Sequence, residues 1–177
     1  MTSEYERIDC VHGDLTLEAT DAIVNAANSS LQGGGGVDGA IHRAAGPGLL
    51  AECMERYRAG CPTGEARMTG GHALAAGHVI HTVGPKWRGG NEGEGEFLAS
   101  CFRASFELAA AEGLRSLAFP AISCGVYRFP VDEAAEISIR ETAAGLSRHP
   151  GIELARFVLF SDELLGVFAG ALERARL

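Results

Sequence analysis

Asn28, Asp38 and His42 flank a run of four glycines, Gly33-Gly34-Gly35-Gly36, and this grouping holds the side chains best suited to chemistry. A carboxamide offers both donors and an acceptor, the set needed to hold sugar hydroxyls, so Asn28 is a candidate positioning group. Asp38 can accept a proton from a hydroxyl or orient a water as a general base. His42 falls one helical turn after Asp38 and shares its face, where the two can simply pair. The glycines between them offer no side chain to pack and cost backbone entropy on ordering. Such a run is sensible where main chain must approach a ligand closely, and the helix start behind it adds positive partial charge. A second segment, Ser123-Cys124-Gly125-Val126-Tyr127, has the same character. Two N–H-rich loops facing one crevice are suited to grip a diphosphate from both sides. Plainer readings stand beside these: a flexible surface loop for the glycine run, and for Asp38 a helix-start carboxylate favoured by the dipole.

Other motifs carry less. No Gly-Lys-Ser/Thr follows the glycines, which excludes a P-loop. Gly34, Gly36 and Gly39 satisfy G-x-G-x-x-G literally, with Glu55 in range of a ribose, but the run begins several residues after its strand. A dinucleotide-dependent oxidoreductase is therefore a distant rival. His72, His78 and His81 fit no common zinc spacing, and Cys10, Cys53, Cys61, Cys101 and Cys124 contain no C-x-x-C. Neither a metal, a disulfide framework nor a cofactor is expected. Cys124 is a candidate nucleophile with no paired base in sequence; free cysteines more often pack as small hydrophobes.

The elements that must position these residues follow from the apolar pattern. Tyr5 to Val11 reads as a first strand and Ala22 to Ala26 as an interior one. Val37 to Ala45 reads as a short helix stopped by Gly46-Pro47, and Leu49, Leu50, Cys53, Met54 and Tyr57 mark a second. Strands at Ala66 to Gly70 and Val79 to Val83 precede Arg88 to Gly95, which reads as an exposed flexible loop. Phe97, Cys101, Ser105 and Leu108 define a helix that Gly113 can end. Leu117 to Ile122 reads as a strand in which Pro120 implies an end or an edge. A helix from about Asp132 to Leu146 and a strand at Phe157 to Phe160 follow. Ser161 caps the last helix, with Leu164, Leu165, Phe168 and Leu172 facing inward. This alternation predicts a layered α/β domain with a parallel or mixed sheet, in which ligands bind beyond the carboxyl ends of the strands.

Composition sets the outer bounds. The 177 residues suit one domain, with 46% hydrophobic and 21% charged residues excluding disorder. No apolar run approaches the ~20 residues of a membrane span, and the first residues lack the pattern of a signal peptide, so a cytoplasmic address is expected. A formal net charge of -8 argues against broad nucleic-acid binding. It leaves room for an anionic small ligand held by backbone N–H groups.

Several motifs occur together and in order. Asp21-Ala22-Ile23-Val24-Asn25-Ala26-Ala27-Asn28, the glycine run and Val37-Asp38-Gly39-Ala40-Ile41-His42-Arg43-Ala44-Ala45-Gly46 are joined by Gly13-Asp14-Leu15-Thr16, Cys61-Pro62-Thr63-Gly64-Glu65-Ala66, Val79 to Pro85 and Ile122 to Tyr127. Together they resemble the macrodomain family, in its MacroD-type branch, over nearly the whole chain. The resemblance implies a single three-layer α/β/α macrodomain, residues 1–177, around a mixed sheet of about six strands. It also implies binding of ADP-ribose and hydrolysis of the ester at its distal ribose, from acidic protein side chains and from O-acetyl-ADP-ribose. Non-catalytic ADP-ribose readers are the alternative within the family.

Carried over by position, Asp14, with Leu15, implies a contact to the adenine amino group, and Phe160 packs on the adenine ring. Gly33, Gly34, Gly35, Gly36 and Val37, with Ser123, Cys124, Gly125, Val126 and Tyr127, imply the diphosphate loops. Tyr127 is implied beside the distal ribose, Asn28 and Asp38 in its placement and in catalysis, and His42 in support. ADP-ribosylated proteins, O-acetyl-ADP-ribose and ADP-ribose on nucleic-acid ends are the implied partners of a monomer. The family's second loop commonly reads Ser-Thr-Gly-Val-Tyr-Gly, so Cys124 and Arg128 are departures. Arg128 is expected either to reshape the loop exit or to bring a cation near the diphosphate.

Overall fold

Apolar residues of the strands alternate between two faces, and this requires a helical layer on each side. The computed structural model describes residues 3–177. Its strands are β1 (Ile8–His12), β2 (Ala22–Ala26), β3 (Ala66–Gly70), β4 (His78–Thr82), β5 (Ser116–Phe119) and β6 (Leu154–Leu159). Its helices are α1 (Gly36–Ala45), α2 (Pro47–Arg56), α3 (Glu94–Ala111), α4 (Val131–Arg148) and α5 (Asp162–Arg176). The six strands lie in the order β1-β6-β5-β2-β4-β3. The pairings are parallel except for β3, which runs antiparallel to β4. The mixed three-layer architecture is the one the sequence implies.

On one face Val24, Ile80, Leu117, Phe119, Phe157 and Leu159 meet buried side chains of α3, α4 and α5. On the other, Ile23, Val79, Ala118 and Val158 meet Ile41, Ala45 and Leu49 of α1 and α2. Aromatic rings staple the first layer together: Phe119 lies 5.2 Å from Phe102, 5.8 Å from Phe106 and 5.5 Å from Phe157 between centroids. Pairs at such separations add about 0.5–1.5 kcal/mol beyond area burial.

Three local expectations change. Tyr5 does not open a strand: Glu4–Arg7 is a 3-10 turn closed by a reciprocal capping box between Ser3 and Glu6, and β1 begins at Ile8. β5 stops at Phe119, short of the expected Ile122, so Pro120 marks its end as one of the two readings had it, and β5 is interior, between β6 and β2. The stretch Arg88 to Gly95 is exposed but organised. The Glu94 carboxylate accepts N–H bonds from Arg88 (3.0 Å), Gly90 (2.8 Å) and Glu92 (2.6 Å), and α3 begins at that residue. Burial opposes its ionisation, but the main-chain donors outweigh it and hold its carboxyl down to about 2.

Helices α3 and α4 touch where Gly145 faces Phe106. A Cβ on Gly145 would stand 2.6 Å from the fully buried Phe106 ring. Gly166, on the exposed face of α5, has nothing within 4 Å of the same position. Replacing a helical glycine with alanine gains about 0.5–1 kcal/mol by propensity, whereas overpacking costs about 1–3 kcal/mol. Urea titration is therefore expected to show Gly166→Ala stabilised and Gly145→Ala destabilised. Equal signs would show that the two helices do not meet at Gly145.

Candidate active site

Five parallel strands place their carboxyl ends on one rim, and the loops that leave them bring together segments far apart in sequence. After β1 comes Asp14, whose Oδ1 accepts from the Thr16 amide (2.9 Å) and hydroxyl (2.7 Å) to cap a 3-10 turn. Leu15 beside it is buried in the core, so only its main chain faces the rim. After β6, Phe160 leaves its ring 77% exposed. After β2 comes the glycine loop, and after β5 the segment Ser123–Tyr127.

Asn28 folds the glycine loop back on itself. Its Nδ2 donates to the Gly33 carbonyl (2.8 Å), and its Oδ1 accepts from the Ser30 amide (3.1 Å) and hydroxyl (2.6 Å). Gly33 and Gly36 have φ of 85° and 58°, the left-handed region that favours glycine. A Cβ on Gly34 would stand 3.2 Å from both Asn28 Nδ2 and Asp38 Oδ2, so the bare residue lets the loop lie over both polar groups. The loop enters α1 with Gly35 as N-cap and no side-chain cap. The first-turn N–H groups therefore face the loop with the positive end of the helix dipole.

Beneath the loop lies a buried polar chain that spans α1, β2, β4 and β3. Asn25 Nδ2 donates to Asp38 Oδ1 (2.8 Å) and to His81 Nδ1 (3.0 Å). His81 Nε2 meets Thr69 Oγ1 at 3.0 Å, and that hydroxyl donates to the Gly70 carbonyl (3.1 Å). Burial, with a smaller contribution from His42, pushes His81 down to about 3, so its ring is neutral at pH 7. With Nδ1 accepting, the ring proton sits on Nε2 and goes to Thr69. Asp38 is 4% exposed, and its Oδ2 is buried without a partner among the described residues. Burial raises its carboxyl above the usual aspartate value, opposed by the Asn25 hydrogen bond and His42. His42 Nε2 stands 3.5 Å from Asp38 Oδ1, the pairing that the i, i+4 spacing predicts.

The second loop is tied to the one after β4. Ser123 Oγ donates to the Pro85 carbonyl (2.8 Å), and the Trp87 amide donates to the Tyr127 carbonyl (2.8 Å). Val126 at the tip is 92% exposed. Burial and the charge of Asp38 both push the Tyr127 hydroxyl up, which brings this loop within electrostatic reach of α1. Arg128 adopts φ of 59°, a left-handed backbone that glycine takes without strain. Burial pushes the Cys124 thiol up to about 12, which disfavours the thiolate a nucleophile needs, and Sγ donates to the Ile122 carbonyl at 3.5 Å.

The structure thus draws Asn28, Asp38, His42 and both loops onto one rim, with Asp14 and Phe160 farther along it. Asn25, His81 and Thr69 were missed as site residues. Their signal was available: an asparagine inside the apolar strand Ala22–Ala26, and a histidine at its register partner in β4. The two other histidines singled out in the sequence stand apart, His72 on Glu52 (2.8 Å) and His78 beside Glu112 (3.8 Å).

Fold and site define a three-layer α/β domain whose ligand-facing surface is built from main chain at the strand ends. The chain belongs to the macro domain family: the family model described as "Macro domain" matches residues 24–138. A macro domain-containing protein of Chlorobaculum tepidum is 54% identical over 165 residues, covering 93% of this chain and 95% of its own. A Klebsiella pneumoniae protein named O-acetyl-ADP-ribose deacetylase is 51% identical, covering 90% of this chain and 93% of its own. Among solved structures, the Oceanobacillus iheyensis macrodomain with ADP superposes with a TM-score of 0.89 at 43% identity, covering 94% and 90% of the two chains. The Trypanosoma brucei macrodomain in complex with ADP-ribose gives a TM-score of 0.87 at 41% identity, covering 94% and 69%.

Removing the carboxamide of Asn25 leaves Asp38 Oδ1 and His81 Nδ1 buried without their shared donor. Asn25→Ala is expected to cost about 2–4 kcal/mol in urea unfolding. A loss below about 0.5 kcal/mol would show that the chain from Thr69 to Asp38 does not support the fold.

Proposed function

We propose that this protein is a hydrolase that binds ADP-ribose and cleaves the ester at its distal ribose. It acts both on mono-ADP-ribosylated acidic side chains and on O-acetyl-ADP-ribose. The observation that carries the reading is Asp38: a buried carboxylate with one oxygen fixed by Asn25 and the other unpartnered, lying under a glycine loop at a helix N-terminus. Relatives at about half identity that bear the name O-acetyl-ADP-ribose deacetylase support it.

In this reading the first-turn N–H groups of α1 and the Ser123–Tyr127 loop hold the diphosphate, while Asp14 and Phe160 take the adenine. Binding energy from these remote groups orients the sugar against Asn28. Water attacks the acyl carbon and gives its proton to Asp38 Oδ2. The bond from that carbon to the ribose oxygen breaks, and Asp38 returns the proton to the ribose oxygen, so the products are a carboxylic acid and a free sugar hydroxyl. Loop N–H groups stabilise the negative charge that develops. Because Gly34 covers Oδ2, the loop must yield for substrate to reach it, and residues without Cβ at positions 33 to 36 allow this movement.

Asp38→Ala is expected to reduce kcat about 10²- to 10⁴-fold while ADP-ribose affinity by calorimetry changes little. Wild-type turnover in the variant would overturn the role. A wild-type protein that binds but releases no ADP-ribose with time from an acidic-site substrate would be a reader. The pH dependence has a definite sign. Asp38 must be ionised to take the proton and its carboxyl is raised, so kcat/KM falls with acidification at a pH above that of an ordinary aspartate. Asn25→Ala removes a group that favours the anion, so the acid limb moves further up; a limb that stays put or moves down would show that Asp38 is not the titrating group.

A further inference from the structure

A groove of about 380 Å³ adjoins the site on the side of the β4–α3 connection. Asn28 and Tyr127 line it and so connect it to the proposed position of the distal ribose. Val83, Pro85 and the 43% exposed Phe97 give it an apolar lining. Its charges are committed with one exception. Glu94 is saturated by main-chain N–H groups, and Arg88 faces Glu92 at 4.0 Å. Lys86, the only lysine in the sequence, is exposed and lies 5.5 Å from the centroid of the Tyr127 ring. Among the described residues no carboxylate pairs with it.

We propose that this groove is the subsite for the acyl half of the substrate, that its occupant is an acidic polypeptide segment, and that Lys86 pairs with a carboxylate flanking the modified residue. The inference rests on the hydrolase reading and extends it. Volume argues for a peptide over an acetyl group: the groove falls within the ~300–1,000 Å³ range of sites that enclose drug-sized ligands, which a two-carbon acyl group leaves mostly unfilled. Charge argues for an acidic segment. In a chain of net charge -8, an unpaired cation beside the reacting sugar selects against basic sequences and draws acidic ones by complementarity. The apolar face of Phe97 suits the methylene stems of such side chains.

Two measurements test this. The first is calorimetric binding of free ADP-ribose and of an acidic peptide carrying ADP-ribose on a hydrolysis-resistant amide link. The wild type is expected to bind the conjugate about fivefold or more tightly than ADP-ribose. Lys86→Glu is expected to abolish that difference, and Lys86→Arg to keep it, with ADP-ribose affinity unchanged in both. The second is steady-state hydrolysis of the ester-linked acidic peptide and of O-acetyl-ADP-ribose. Lys86→Glu is expected to raise KM for the peptide about fivefold with kcat within about twofold, and to leave both constants for O-acetyl-ADP-ribose unchanged. Equal wild-type affinities for conjugate and ADP-ribose, or equal losses on both esters, would overturn the proposal. If the wild type hydrolyses neither ester, the hydrolase reading fails, and the calorimetric comparison still decides the groove.

Discussion

The site depends on one asparagine bridging a buried carboxylate and a buried neutral imidazole. Burying an ionised carboxylate is costly unless hydrogen bonds replace its water. Asn25 replaces part of it at Asp38 and uses its second N–H to fix the tautomer of His81, which in turn satisfies Thr69. This chain runs from helix α1 through β2 and β4 to β3. The antiparallel strand β3 therefore helps to hold Asp38 in place, because its Thr69 closes the far end of the polar chain. Parallel pairing of β2 and β4 puts Asn25 opposite His81, so one register shift would break the network and move a hydrophobic set to the wrong face.

The same parallel arrangement explains why the functional segments converge. Five strands ending on one rim deliver five loops there without long crossings, and side-chain to main-chain bonds lock those loops pairwise. Ser123 to Pro85 and Trp87 to Tyr127 couple the β5 and β4 exits, while Asn28 closes the β2 exit on itself. The rim is thus tied by hydrogen bonds at the β4 and β5 exits and carries no side chains at Gly33–Gly36.

How much of this was legible follows from the range of the forces involved. Ala22–Ala26 and the helix from the glycine run to Ala45 could be read because their signals are local: a β-branched apolar run, then glycines and Gly46-Pro47 as stops. The strand expected from Tyr5 failed because a capping box between Ser3 and Glu6 competes locally with extension. The loop Arg88 to Gly95 was misread as flexible because composition shows polar glycine-rich chain but not that Glu94 turns back to collect its amides. Asn28, Asp38 and His42 stood out through their spacing around the glycines. Asn25 and His81 did not, since their partnership exists only through strand pairing across 56 positions.

Arg128 shows how far the fold overrides a residue's own preference. An L-residue in the left-handed region costs about 1–2 kcal/mol, yet Arg128 holds φ of 59°. Its amide donates to the Gly125 carbonyl (3.0 Å), and the next amide, of Phe129, donates to the Ser123 carbonyl (2.9 Å). Phe129 is buried and its ring lies 4.9 Å from Trp87. The turn is thus clamped on both sides by hydrogen bonds and by an aromatic contact to the β4 exit. The backbone pays the strain because relaxing it would release Phe129 from the core and, through Trp87, the carbonyl of Tyr127. A glycine at position 128 would remove the strain but also widen the unfolded ensemble, so the arginine costs less than its torsion angle alone suggests.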